Sequence, residues 1–352
     1  MTLRDAVQTA GNSVSKRSRQ LSLISSDSGL SRQERVMAFR EITSRDVGNT
    51  WLRTSRGLDR DFDRPGIYLK FEGDNPTGTQ KDRIAFAHVA DALARGYTSI
   101  ALATCGNYGV AVALAAHLAG LDCLIYVPAG YHTRRLGQME ALGARIFRPP
   151  GSYEEVVEYS SRQATAEGHY DANPGAANSA LQIQAYSPIA AEIIMQLGRV
   201  IPQTVAVPVS NGTLLAGIYQ GFKQLKQRGL IERLPQMIAA SSTNQNPIVS
   251  SFLAGDRRCQ DLDPQLIKET DVNEPLINWH SFDGQEALDA LYGSRGSARH
   301  VSDARLRKMS TYLSQKEALQ VLPASTAGLI ALLEAVPPDE QAVQVAVLTG
   351  KR

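Results

Sequence analysis

Short runs of β-branched and aliphatic residues recur along the chain, and most are followed by an alanine-rich segment of helical length. Continuous apolar runs of this kind mark strands covered on both faces, and their alternation with helices predicts parallel βαβ units. The runs are Ile67 to Phe71, Ile100 to Ala103, Cys123 to Val127, Arg145 to Arg148, Thr204 to Val209, Met237 to Ala240 and Val343 to Leu348. Helices are expected after the first six. The stretch from Ile100 to Ala129 is apolar enough to suggest a membrane span, but Asn107, His117 and Asp122 interrupt it and glycines divide it. It reads as strand, helix, strand. The alternation lapses from Asp256 to His280, which is rich in charge, Pro and Asn and is expected to be irregular. A change of style near Asn173 to Asn178 suggests a passage between two α/β domains. The expected division is a larger domain of residues 1–66 and 181–352 and a smaller one of residues 67–180.

Composition narrows the partners. A chain of 352 residues with 43% hydrophobic content has core enough for about two domains. Lys+Arg 37 against Asp+Glu 35 leaves a formal charge of +2, which points away from nucleic acid and towards a small molecule. Cys105, Cys123 and Cys259 show no CxxC spacing, an arrangement suited to a reducing cytoplasm. The six histidines are scattered without metal-ligand spacing, so no metal is expected. Residues 1–35 are rich in Ser and Arg, with Lys16, Arg17 and Arg19 clustered, and lack the apolar core of a secretory signal. They are expected to form a surface extension packed on the body or on a partner subunit.

Ligands of parallel α/β sheets collect beyond the carboxyl ends of strands, and four segments lie there. Lys81 follows the strand ending at Phe71, and Thr104-Cys105-Gly106-Asn107-Tyr108-Gly109 follows the strand ending at Ala103. Ser210-Asn211-Gly212-Thr213 follows the strand ending at Val209 and opens a helix from Leu214 to Arg228; Thr349-Gly350 follows Leu348. All four are expected to converge on one cleft. A neutral lysine amine can form a Schiff base with an aldehyde. Small residues and backbone N–H groups at the helix start near Asn107 suit a carboxylate, and those at Ser210 to Thr213 suit a phosphate dianion.

The run Asn75-Pro76-Thr77-Gly78-Thr79-Gln80-Lys81-Asp82-Arg83 resembles the lysine motif of the threonine synthase and cysteine synthase family, the fold-type II enzymes dependent on pyridoxal 5'-phosphate. The resemblance extends from about Gly48 to Gly350, with weaker support from residues 278–284 and 322–328. It implies a two-domain α/β fold with parallel-rich sheets, the cofactor in a cleft between the domains, a smaller mobile domain closing over substrate, and a homodimer. It places the coenzyme on Lys81, and the substrate carboxylate on Thr104, Cys105, Gly106 and Asn107, with Asn107 also contacting the cofactor's ring oxygen. Ser210, Asn211, Gly212 and Thr213 would hold the phosphate. That loop has fewer glycines than is usual in the family, and the Ser210 and Thr213 hydroxyls are expected to compensate. Thr349 would face the pyridine nitrogen, where a hydroxyl favours elimination and replacement over transamination.

The activity so implied is elimination and replacement on an O-activated amino acid, such as conversion of O-phosphohomoserine and water to threonine and phosphate. The family supplies cations near the substrate phosphate from positions that carry Gln182 and Ser187 here. Each missing charged contact is worth ~1.5 to 3 kcal/mol. Lys70, Arg83 and Arg134 are the cations left to substitute. An alternative, favoured by the missing cations and by Gln80, is β-replacement on phosphoserine, serine or an acylated serine. A non-catalytic PLP-binding regulatory protein is a third reading, opposed by the intact set of Lys81, Asn107 and Thr349.

Overall fold

The computed structural model describes residues 14–104, 106–131, 135–335 and 342–352. Its strands are β1 (Leu52–Thr54), β2 (Ile67–Phe71), β3 (Ser99–Ala103), β4 (Asp122–Tyr126), β5 (Arg145–Phe147), β6 (Tyr170–Asp171), β7 (Thr204–Pro208), β8 (Gln236–Ser242), β9 (Ser297–Val301) and β10 (Gln344–Leu348). The seven expected strands are all present, shifted at their ends by no more than two residues. A four-stranded parallel sheet has the order β5-β4-β3-β6. A six-stranded sheet has the order β1-β2-β10-β7-β8-β9, in which β1 alone runs antiparallel to its neighbour. No helix among the described residues is long and apolar enough to cross a membrane.

The chain divides into two compact units, Met1–Gly48 with Asn75–Gln182 and Asn49–Asp74 with Ile183–Arg352. This differs from the expected division in two places. Strand β2, expected in the smaller domain, is hydrogen-bonded along its length to β10, from Ile67↔Gln344 to Phe71↔Leu348. The N-terminal helices, expected with the larger domain, pack instead within the first unit. An apolar run identifies a strand but does not say which sheet will pair with it.

In the first unit the helix Asn107–Ala119 is apolar nearly all round, and its side chains are buried from Tyr108 to Ala119 except at His117. Such a helix must be covered on every side. It packs on β4, on helix Lys81–Arg95 and on the N-terminal helix Lys16–Ser25. The helix Arg32–Asp46 opens with a capping box in which Ser31 and Glu34 satisfy each other's backbone N–H groups. Its Phe39 stacks on Phe86 with ring centroids 5.5 Å apart. Arg35 donates to the carbonyls of Ser25 and Ala119, and Ser25 Oγ donates to that of Leu118. The N-terminal extension thus supplies donors to the carbonyl end of a core helix.

In the second unit β7 and β10 are buried at every position. Their apolar side chains join a core that includes Leu69, Ala206, Ile238, Leu313, Leu329 and Leu348. Residues 256–280 hold a short 3-10 turn, Pro264–Leu266, and otherwise irregular backbone.

Candidate active site

Lys81 is the first residue of helix Lys81–Arg95, and the motif before it is wired to present it there. Gly78 has φ +89°, a conformation that favours glycine, and its N–H donates to the Asn75 carbonyl at 2.8 Å. Thr77 donates through both its N–H and its hydroxyl to Asp82 Oδ2, at 3.0 and 2.9 Å. Thr79 Oγ1 accepts from the Lys81 N–H at 3.3 Å. The Lys81 ammonium lies 5.8 Å from the ring centroid of Tyr108, so the N-terminal ends of two helices, Lys81–Arg95 and Asn107–Ala119, come together. Tyr108 is itself held by a 2.8 Å bond from its hydroxyl to the Ala172 carbonyl.

The turn before Asn107 leaves β3 through Thr104, whose N–H pairs with the Tyr126 carbonyl at 3.0 Å and whose Oγ1 accepts from the Gly106 N–H at 3.3 Å. A Cβ on Gly106 would meet nothing within 4 Å, so the turn is open on that side. The Asn107 and Tyr108 N–H groups belong to the first helical turn, where no carbonyl precedes them within the helix, while that of Gly109 donates to the Gly106 carbonyl at 3.1 Å. Cys105 lies outside the described residues. Cys123 and Cys259 are unsuited to nucleophilic chemistry, since burial pushes their thiols up to about 12 and about 11.

In the second unit Ser210–Thr213 links β7 to the helix Thr213–Gln227. Gly212 has φ +94°, and a Cβ there would sit 2.5 Å from the Asp283 carbonyl oxygen. The loop turns its carbonyls inward. That of Ser210 accepts from Asn246 Nδ2 at 3.0 Å and Ser281 Oγ at 3.1 Å, and that of Asn211 accepts from the Asp283 N–H at 2.9 Å. The N–H groups of the first helical turn are left as donors at the positive end of the helix dipole. The Thr213 hydroxyl differs from expectation, because it donates to the buried Asp283 carboxylate. Its contribution to an anion is therefore its backbone N–H.

Thr349 follows β10, the neighbour of β7, and its hydroxyl lies 3.0 Å from Ser325 Oγ. Ser325 is fully buried and is also bonded to both the N–H and the carbonyl of Gly350, at 2.9 and 3.1 Å.

The positions expected to face a substrate phosphate are spent inside the fold. Gln182 is buried and donates to His88 Nε2 and to the Asn173 carbonyl, while the Ser187 hydroxyl donates to the Gln184 carbonyl at 2.8 Å. The substitute cations fare similarly. Lys70 is fully buried, with its amine 2.7 Å from Glu192 Oε2, 3.2 Å from Gln196 Oε1 and bonded to the Thr50 carbonyl. Arg83 is 5% exposed. Arg134 lies outside the described residues.

The sequence profile of the pyridoxal-phosphate dependent enzymes matches residues 43–350, a span that begins before Lys81 and ends after Thr349. The chain belongs to this family. Among curated relatives, the threonine synthase of Methanocaldococcus jannaschii is 30% identical over 314 residues, covering 88% of this chain and 76% of its own. The threonine synthase of Mycobacterium bovis is 29% identical over 275 residues, covering 77% of this chain and 71% of its own. Among solved structures, the serine racemase of maize superposes with a TM-score of 0.71 at 20% identity, covering 89% of this chain and 93% of that one. This likeness shows the fold. As a member of the family the chain is an enzyme that uses pyridoxal 5'-phosphate.

The residues present fit that coenzyme. In the first unit an amine able to take an aldehyde stands at a helix start, and in the second a loop whose carbonyls are already bonded opens a helix whose first N–H groups suit an anion. Sequence reasoning missed Asn246, Asp283, Tyr108 and the role of Ser325. Asn246-Pro247 is readable as a helix cap followed by proline at the first helical position, and residues 278–284 stand out in the sequence as a segment without a role.

Proposed function

We propose that this enzyme carries out elimination and replacement on an O-activated amino acid in the manner of a threonine synthase, taking O-phosphohomoserine and water to threonine and phosphate. The observation that carries the reading is the match to a threonine synthase over 88% of the chain. When bound, the coenzyme supplies an aldehyde for a covalent bond to an amine and a conjugated ring that withdraws electrons from an amino acid's Cα. Lys81 Nζ holds the coenzyme and then moves protons at the substrate Cα and Cβ. Thr104, Cys105, Gly106 and Asn107 bind the substrate carboxylate, Thr104 through its hydroxyl because its N–H is taken by Tyr126, with the Asn107 side chain on the ring oxygen. Ser210, Asn211, Gly212 and Thr213 bind the coenzyme phosphate. Thr349, braced by Ser325, offers a neutral hydroxyl to the ring nitrogen; a carboxylate there would hold that nitrogen protonated. We assign the work to a cytoplasmic homodimer, a state that sedimentation tests directly.

A second reading has its own support. With Gln182 and Ser187 turned inward and Lys70 committed to Glu192, the cations expected around a substrate phosphate are missing from those positions. This favours β-replacement on serine or an acylated serine. Purified enzyme supplied with O-phosphohomoserine decides between them. Equimolar release of phosphate and threonine supports the first reading; turnover of O-acylserine with an added nucleophile, and none of O-phosphohomoserine, replaces it with the second.

A further inference from the structure

Three asparagines form a row leading to the loop Ser210–Thr213, and the orientation of each carboxamide is dictated by the one before it. Asn246 is fully buried and caps the helix Pro247–Ala254, its Oδ1 accepting from the N–H groups of Ile248 at 3.1 Å and Val249 at 3.3 Å. Its Nδ2 therefore points the other way, where the Ser210 and Leu276 carbonyls, at 3.0 and 3.3 Å, can only accept. The same Nδ2 lies 2.9 Å from Oδ1 of Asn278. Asn278 in turn directs its Nδ2 to the His280 carbonyl at 2.8 Å, to Ser281 Oγ at 3.0 Å and to Oδ1 of Asn211 at 2.9 Å. Carbonyls that cannot donate exclude the flipped amide at both Asn246 and Asn278. One orientation remains for Asn211. Its oxygen is held by Asn278, and its Nδ2 is a donor with no partner among the described residues.

We propose that Asn246 and Asn278 are positioning residues that aim the side-chain N–H of Asn211 at the coenzyme phosphate. A phosphate dianion accepts hydrogen bonds and repels carbonyl oxygen, so an Asn211 amide turned the wrong way would weaken the site it now completes. A helix cap thereby sets the polarity of a ligand contact two side chains away, before the ligand arrives. The inference rests on the assignment of this loop to the phosphate.

The test uses the full chain labelled with 15N-asparagine, stripped of coenzyme with hydroxylamine and titrated with inorganic phosphate. Movement of both the backbone and the side-chain N–H signals of Asn211 is the expected result. Movement of the backbone signal alone overturns the relay and leaves the phosphate loop standing; no movement of either overturns both. Two variants give an independent readout. Asn246→Asp keeps the helix cap but loses the donor to Asn278, and Asn278→Asp sets a carboxylate against Asn211 Oδ1. Each is expected to weaken pyridoxal 5'-phosphate binding by about tenfold, the loss of one hydrogen bond to a charged group, and to leave pyridoxal binding unchanged. Equal losses for both ligands, or none for either in folded protein, refute the proposal. Should both variants fail to fold, the titration of the unmodified chain decides alone.

Discussion

The side-chain amide of Gln182 donates to Nε2 of His88 across 2.9 Å, and this contact fixes the protonation of a buried imidazole. Gln182 must present its NH2 group there, because the same nitrogen lies 3.2 Å from the acceptor-only carbonyl of Asn173. His88 Nε2 is then an acceptor, and the proton resides on Nδ1, which donates to the Tyr170 hydroxyl at 3.1 Å. The Tyr170 hydroxyl donates in turn to Asp91 Oδ2 at 2.8 Å. Burial holds the His88 pKa down to about 4, against the opposing pull of Asp91 and Asp171.

This depression sets a pH dependence of stability. The unfolded chain takes up a proton on His88 below its ordinary value of 6.5, whereas the folded chain does so only near 4. The contribution of His88 is complete above the higher value and is lost as pH falls from 6.5 towards about 4. It amounts to ~3 kcal/mol at full extent. Urea unfolding at pH 7.5 and at pH 5 should show a smaller pH difference for His88→Asn than for the unmodified chain. Equal slopes would remove His88 from the account.

Lys70 and Glu192 form a buried ion pair, so their substitutions are expected to be strongly non-additive. Lys70→Met alone should cost about 3 to 5 kcal/mol, because it strips a buried carboxylate of its counter-charge. The double variant Lys70→Met with Glu192→Met should recover most of that loss. Denaturation midpoints of the four proteins in the cycle measure the coupling.

Lys81→Ala is expected to abolish the visible absorption of covalently held coenzyme. It should also lower turnover by at least about a hundredfold, the usual scale of a missing acid–base group. Spectra and steady-state rates on the same preparation check both, and retention of either would take this lysine out of the reaction.

Gly212→Ala tests the phosphate loop without removing any polar group. The new methyl would sit 2.5 Å from the Asp283 carbonyl and 2.8 Å from Ala287 Cβ, on a backbone at φ +94°. Strain of ~1 to 3 kcal/mol should open the loop and weaken coenzyme affinity by about tenfold. Fluorescence titration of the stripped protein gives the number.

Strands with both faces covered were legible because they read as largely apolar runs, as in Ser99–Ala103 and Thr204–Pro208. The three missed strands lack that signature. β1 and β6 have three and two residues, and β9 lies at a sheet edge with Arg299 and His300 half-buried. The placement of Lys81 at a helix start was legible because the nine residues around it form its own turn. Asn246 and Asn278 were not, since they act on the Ser210–Thr213 loop from positions 36 and 67 residues away along the chain. Gln182 shows the opposite failure, for an alignment gives a residue its place in the row but not the direction of its side chain.

The order of the six-stranded sheet bears on how this protein is made. β10 lies between β2 and β7, yet it is synthesised after every other strand of that sheet. Until it emerges from the ribosome, β2 and β7 each keep one row of backbone donors and acceptors without a mate, facing a gap one strand wide. The first unit, complete at Gln182, has no such wait. The nascent chain therefore passes through a long interval with one half able to close and the other dependent on a contact spanning most of its length, the circumstance in which folding is slow and holding chaperones matter most.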